Sequence, residues 1–154
     1  MSWIKKQTKG TTEYTVKHPE KYRGKLPVIC RSSWEVEFCR FLDYNKNVLF
    51  WNSEDVAIKY RDPINPIDKK GKPKFRTYYP DFLVKFINGQ TWLIEIKPFK
   101  ETVQPNNHGN KKTKTKLYEA KTWQVNKAKW IAAERYCKLK NWKFKILTEK
   151  ELLL

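Results

Sequence analysis

Asp81, Glu95 and Lys97 are the residues from which a reaction can be argued, and the pattern around them says how they meet. Phe82, Val84 and Phe86 alternate with Asp81, Leu83 and Lys85; after Ile87-Asn88-Gly89, the residues Trp92, Ile94 and Ile96 alternate with Thr91, Leu93, Glu95 and Lys97. That pattern predicts a β-hairpin. A two-residue Asn88-Gly89 loop would set Phe82 opposite Glu95 and mix the faces. A three-residue Ile87-Asn88-Gly89 loop, with Gly89 left-handed at a bulge, pairs Phe86 with Gln90 and Phe82 with Ile94. We expect the second register. It puts Asp81 opposite Glu95 on one face, their Cβ atoms about 4.5–5.5 Å apart, with Lys97 next along that face.

Facing carboxylates repel, and one takes up a proton unless a cation stands between them. Hard oxygen donors at that separation suit Mg²⁺ or Mn²⁺, ions that neutralise a phosphodiester and lower the pKa of a bound water. Lys97 beside such an ion would orient or deprotonate the attacking water, or stabilise charge building on the phosphorus oxygens. The bland alternative is a cross-strand acid pair on a solvated face, tied up by lysines. The spacing alone leaves both open.

The composition favours a polyanionic partner. In 154 residues, 33 Lys and Arg against 16 Asp and Glu give a net charge of +17, which fits a partner whose condensed counterions are released on binding and disfavours an acidic or membrane-buried role. The length suits one ordinary domain, and 40% apolar with 15% aromatic residues exclude a disordered chain. No apolar run approaches a membrane span and Lys5-Lys6 follow no signal-peptide core, so a soluble, cytoplasmic protein is expected. Cys30, Cys39 and Cys137 are odd in number with no C-x-x-C pair, and read as buried thiols. His18 and His108 stand far apart, and neither an internal repeat nor a glycine-rich phosphate loop occurs. Catalysis therefore falls to carboxylates and lysines, with no small-molecule cofactor.

Several elements must hold that hairpin. Ser32-Ser33-Trp34-Glu35 signals a helix start, and the periodicity predicts a helix from Ser33 to Tyr44. On its wheel Trp34, Phe38, Cys39, Phe41 and Leu42 form an apolar arc, with Glu35 inside it and Glu37 near its edge. An inward carboxylate is costly unless paired or metal-linked, so Glu35 is a candidate third acid; Ser32-x-x-Glu35 is also a capping box in which Glu35 bonds the Ser32 backbone. Val56, Ile58 and Tyr60 alternate as a strand, and Arg61 to Arg76 reads as a proline-rich basic loop. Tyr118 to Asn141 reads as a long helix, with Val125, Ala128, Ala132, Tyr136 and Leu139 on one side and Trp123, Trp130 and Cys137 on another. Trp142, Phe144 and Ile146 make a last strand. Residues 1–30 read as an arm with little regular structure, packed on a domain spanning 31–154, and Trp3, Tyr22 and Trp51 as core or arm-anchoring aromatics. The basic clusters Lys69, Lys70, Lys72, Lys74, Arg76 and Lys111, Lys112, Lys114, Lys116 flank the site in sequence. They would hold a phosphate backbone without reading bases; the alternative is two flexible, solvated loops.

Pro80-Asp81 followed by Glu95-Ile96-Lys97 resembles the signature of the PD-(D/E)XK nuclease superfamily, and Arg31-Ser32-x-x-Glu35 is similar to the helical glutamate that precedes it in many members. The ordered set His18-Pro19-Glu20-Lys21-Tyr22, Trp51-Asn52-Ser53-Glu54, Tyr78-Tyr79-Pro80-Asp81-Phe82 and Trp123-Gln124-Val125-Asn126-Lys127-Ala128-Lys129-Trp130 extends the resemblance over nearly the whole chain, to the head-completion nucleases of T-even-type tailed phages. The resemblance implies an α/β, restriction-endonuclease-like αβββαβ core with a central mixed sheet flanked by helices. It implies a Mg²⁺- or Mn²⁺-dependent DNA endonuclease acting in head completion, in the host cytoplasm or with the virion, beside other phage head or neck proteins. Asp81, Glu95, Glu35 and the Ile96 carbonyl would hold the metal, and Lys97 would be the catalytic lysine. Gln124 is an accessory candidate because some related nucleases carry a helical glutamine near the site, although the tyrosine that follows it there is absent here, and the alternative is a half-exposed polar helix residue; Glu54, before the first strand, is either a supporting residue of the site or a strand-edge acid. The alternatives are a non-catalytic DNA-binding virion assembly factor, and a nuclease of the junction-resolvase or transposon-end type.

Overall fold

A computed structural model describes residues 10–106, 109 and 111–152; Trp3 and His108 lie outside the described residues. Along the chain run β1 (Thr12–Tyr14), β2 (Val28–Cys30), α1 (Ser33–Tyr44), β3 (Val48–Ser53), β4 (Ile58–Arg61), β5 (Phe75–Tyr78), β6 (Phe82–Phe86), β7 (Thr91–Ile96), a short 3₁₀ turn (Phe99–Glu101), α2 (Thr113–Lys140), β8 (Lys143–Leu147) and α3 (Glu149–Leu152). The central sheet has the order β3-β6-β7-β8. β6 pairs antiparallel with β3 and with β7, and β8 adds parallel to β7 after the α2 crossover that such a connection requires. Within that sheet the chain order is αβββαβ. This is a mixed sheet flanked by helices, as the resemblance implies.

The hairpin forms in the expected register. Phe82 pairs with Ile94 and Val84 with Trp92, the Phe86 N–H donates to the Gln90 carbonyl at 2.9 Å, and Gly89 takes φ +91°, which a side chain would resist. Alternation then sorts the two cores. Phe82, Val84, Ile94 and Ile96 face α1, with Phe38, Cys39, Leu42 and Trp51. Leu83 and Leu93 face α2, with Ala133, Cys137 and Phe144. Asp81 and Glu95 share the parity of Leu83 and Leu93, so they belong to the α2 face at the end of the sheet, while Lys97, one residue past the end of β7, lines a cleft together with Trp34 and Glu35 of α1.

Four expectations change. The first strand of the central sheet is Val48–Ser53 rather than the Val56–Tyr60 alternation; the latter supplies β4, which pairs with β5 in a separate ribbon. The segment expected to be a loop through Arg76 therefore ends in a strand, and its turn is pinned by carboxylates. Asp62 accepts from the Ile64 and Asn65 N–H groups and from Arg76 Nε, while Asp68 Oδ1 accepts from the Lys70 and Lys72 N–H groups. The early chain carries structure too: β1 and β2 pair, and the Tyr22–Trp51 bridge ties residues 21–23 to the free edge of β3. Tyr22 and Trp51 pack ring to ring, 4.7 Å between centroids, as core aromatics. Finally, α2 begins at Thr113, five residues before Tyr118, and its buried stripe is Asn126, Ala133 and Cys137, leaving Leu139 exposed. Its end is as expected, with Asn141 left-handed as the C-cap. All three cysteines are buried, free thiols.

Candidate active site

β6 begins where β3 ends. Glu54 adopts a left-handed conformation just after β3 and its N–H donates to the Asp81 carbonyl at 3.0 Å, fixing the peptide that precedes Phe82. The Asp81 carboxylate turns across the hairpin, and its Oδ2 accepts the Ile96 N–H at 2.8 Å. Glu95, buried on the neighbouring strand, accepts the Tyr78 hydroxyl on Oε1 at 2.6 Å and has Lys97 Nζ 3.7 Å from Oε2. These three sequence-identified residues therefore meet at one end of the sheet.

Glu35 approaches from the other face. The buried stripe of α1 is centred on Glu35, Phe38, Cys39 and Leu42 rather than on Trp34 and Phe41, and Glu35 sits in its middle. Glu37 points outward to Arg40. Only half of the expected capping box forms: Ser32 Oγ accepts the Glu35 N–H, but the Glu35 carboxylate accepts the Arg31 N–H at 3.0 Å instead of that of Ser32. A cleft of about 310 Å³ opens here, lined by Ser32, Ser33, Trp34, Glu35, Ile96, Lys97, Pro98 and Glu101.

The electrostatics are those of crowded acids. Asp81 is held well above the usual carboxylate range, first by burial and then by Glu95 and Glu35. Glu95 is raised by burial against the opposing pull of Tyr78, Lys97 and Lys129, and Glu35 by burial against its bond from Arg31 and the nearby Lys97. Such a group of acids releases its protons when a divalent cation is supplied. Among the described residues no three Asp, Glu, His or Cys side chains converge on one point. The reason is topological: Glu35 reaches in from the α1 face while Asp81 and Glu95 lie on the α2 face. Two carboxylates still fit Mg²⁺, which commonly takes one or two together with water and substrate phosphate.

Two accessory candidates part company. Gln124 is exposed on α2, turned away from the buried stripe. Glu54 stays beside the site, its carboxylate paired with Arg31 Nη1, so it braces the residue whose N–H holds Glu35. Two groups were missed. Tyr78 holds Glu95, and Lys129 lies over the Tyr78 ring with its ammonium 5.5 Å from the centroid. The alternation that put both carboxylates on the face of Leu83 and Leu93 was the signal for Lys129: the helix covering that face had to answer them.

Among the described residues no helix is long and apolar enough to cross a membrane. Lys69, Lys70 and Lys72 project from the β4–β5 turn, whereas Lys74 and Arg76 are drawn back to Asp62 at 3.9 and 2.7 Å. Lys112, Lys114 and Lys116 crowd the start of α2, with no acid in its first turn, and Lys111 bonds Glu119.

Residues 45–149 match the family model described as TnsA-like endonuclease N terminal. Over 144 residues, 91% of each chain, the sequence is 38% identical to the "Head completion nuclease" of Enterobacteria phage T4.

Proposed function

The chain belongs to the TnsA-like endonuclease N-terminal family, and from that footing we propose that it is a divalent-metal-dependent endodeoxyribonuclease that acts on DNA during phage head completion. The observation that carries this reading is the buried Asp81–Glu95 pair, cross-braced by the Ile96 N–H and the Tyr78 hydroxyl, with Lys97 at its edge. Asp81, Glu95 and the Ile96 carbonyl would hold Mg²⁺ or Mn²⁺, which when bound neutralises phosphodiester charge and makes water a better nucleophile. Glu35 contributes negative charge from across the sheet end rather than a shared cage. Lys97, close to Glu95 and half-exposed to the cleft, orients the attacking water or stabilises the charge that builds on the phosphorus oxygens. Tyr78 and Ile96 hold the two carboxylates by hydrogen bonds, which would orient them toward a bound cation.

DNA is gripped by backbone charge. Lys69, Lys70 and Lys72 on the pinned ribbon turn, and Lys111, Lys112, Lys114 and Lys116 at α2, are the proposed phosphate contacts. Lysines at the positive end of a helix dipole repel one another unless an anion answers them, and α2 supplies no acid of its own in that turn. With Lys74 and Arg76 engaged by Asp62, their work is to hold the ribbon. We place the protein in the host cytoplasm or with the maturing virion, beside other head or neck proteins.

Wild type and Lys97→Ala, incubated with supercoiled and linear DNA and with Mg²⁺, Mn²⁺ or a chelator, test the activity. Metal-dependent nicking that falls about a hundredfold in the variant is expected. DNA shifted but uncut in every lane, alike for both proteins, would replace the nuclease with a structural virion assembly factor. Tyr78→Phe makes a finer test: loss of the hydroxyl that fixes Glu95 should raise the Mg²⁺ concentration for half-maximal cleavage about tenfold to a hundredfold, and an unchanged metal titration would remove Tyr78 from the site.

A further inference from the structure

We infer that Lys129 of α2 is a second lysine of the active site, one that contacts the DNA phosphate bound there; the inference rests on the nuclease reading above. Three observations place it. Asp81 and Glu95 lie on the sheet face that α2 covers, and Lys129 falls within the buried stripe of that helix, between Asn126 and Ala133. Its ammonium stands over the ring of Tyr78, the residue whose hydroxyl occupies Glu95 Oε1, while Lys97 stands by Oε2, so both lysines are neighbours of the Tyr78–Glu95 pair. Yet no ion pair holds Lys129 among the described residues, although it feels Glu95, Asp81 and Lys97 electrostatically. A half-buried cation kept near acids without resting on them has room for an anion between.

Charge balance gives it a task. Glu35, Asp81 and Glu95 carry three negative charges when ionised. A divalent cation and Lys97 bring the site to neutrality and leave nothing to attract a phosphodiester. Lys129 supplies one positive charge in excess, matching the single negative charge of one phosphodiester group. The geometry also separates the lysines' duties: Lys97 lines the cleft with Glu35 and Pro98, whereas Lys129 approaches from α2, over the ring of Tyr78.

The test reads binding apart from cutting. Affinity for a short linear duplex is measured across a salt series with Ca²⁺ replacing Mg²⁺, for wild type, Lys129→Met and Lys129→Arg, each checked for folding by its thermal melt. Losing one phosphate contact should make the slope of log affinity against log salt shallower by about 0.9, and Lys129→Arg should restore it. With Mg²⁺, Lys129→Met should also cut about a hundredfold more slowly. A slope unchanged in Lys129→Met overturns the inference, whether or not cleavage falls, because a lysine that merely holds Glu95 in place would slow cutting without altering the salt dependence. Should Lys129→Met fail to fold, Lys129→Gln carries the same comparison. A wild type that binds DNA and never cuts would defeat the nuclease reading alone, and the slopes would still decide Lys129.

Discussion

Asp81→Asn is expected to lose cleavage by at least about a thousandfold, near 4 kcal/mol of transition-state stabilisation, and at the same time to make the metal-free protein more stable. The two effects have one cause. In the absence of a cation, folding buries Asp81 beside Glu95 and Glu35, which lifts its pKa far above the ordinary carboxylate value. A carboxyl with a raised folded-state pKa leaves the native state undisturbed below its unfolded value, about 3.9, and destabilises it increasingly as pH rises from there through the folded value. Asparagine removes the charge while its amide oxygen can still accept the Ile96 N–H. In a chelator at neutral pH, the variant should melt roughly 2–4 °C above wild type, the response to about 1 kcal/mol in a chain of this length. The gap should close as pH approaches 4. Adding Mg²⁺ should raise the wild-type melting temperature and leave Asp81→Asn nearly unmoved. A variant that melts below wild type in chelator at pH 7 would show that Asp81 is a structural anion, held by its lysine neighbours rather than waiting for a cation.

Much of this site is legible in the sequence, because it rests on the two strongest local signals. A period of two with an Asn-Gly turn leaves few registers, and only one keeps Phe82 across from Ile94; Asp81 facing Glu95 follows without further assumption. Ser32 announced α1 and its wheel turned Glu35 inward. What escaped notice depended on contacts remote in sequence. β3 reads Val48-Leu49-Phe50-Trp51, an unbroken apolar run whose type no period settles; it becomes a strand because β6 pairs with one edge and residues 21–23 cover the other. β5 follows a lysine-rich turn in which Asp62 and Asp68, not hydrophobic spacing, fix the ribbon. In α2, aromatic residues on several sides hid the buried stripe on which Lys129 falls, and Gln124, which is exposed, was singled out by the resemblance alone. Asp43 fell outside the apolar arc drawn for α1 and drew none, yet it is almost wholly buried.

Asp43 is the residue on which the largest loss of stability is expected. Its Oδ2 accepts the Tyr14 hydroxyl and the Lys17 N–H, each at 2.7 Å, and its Oδ1 accepts the His18 N–H at 2.9 Å. A few residues on, Lys21 Nζ donates to the Asp43 and Asn45 carbonyls at 3.0 and 2.7 Å, capping the end of α1 where its last turn has no basic residue of its own. Residues 14–21 are thus sewn to α1 through a single carboxylate and a single ammonium. Asp43→Ala strands two backbone donors and a buried phenol, each costing about 1–3 kcal/mol when left without a partner, so a loss near 4 kcal/mol is expected, a melting temperature lower by about 10 °C. The pH signature is opposite to that of Asp81. Burial works to raise the Asp43 pKa, but the donors from Lys17, Tyr14 and His18 outweigh it and hold the group below its ordinary 3.8. Its contribution is therefore complete above that value and is lost as pH falls through the lower folded one. Thermal melts between neutral pH and pH 2 should show wild type losing stability steeply at the acid end, with Asp43→Asn starting lower and falling less. Parallel curves for the two proteins would mean that other carboxylates govern acid unfolding, and that the early segment is held to α1 by its packing around Tyr14 and Trp51 instead.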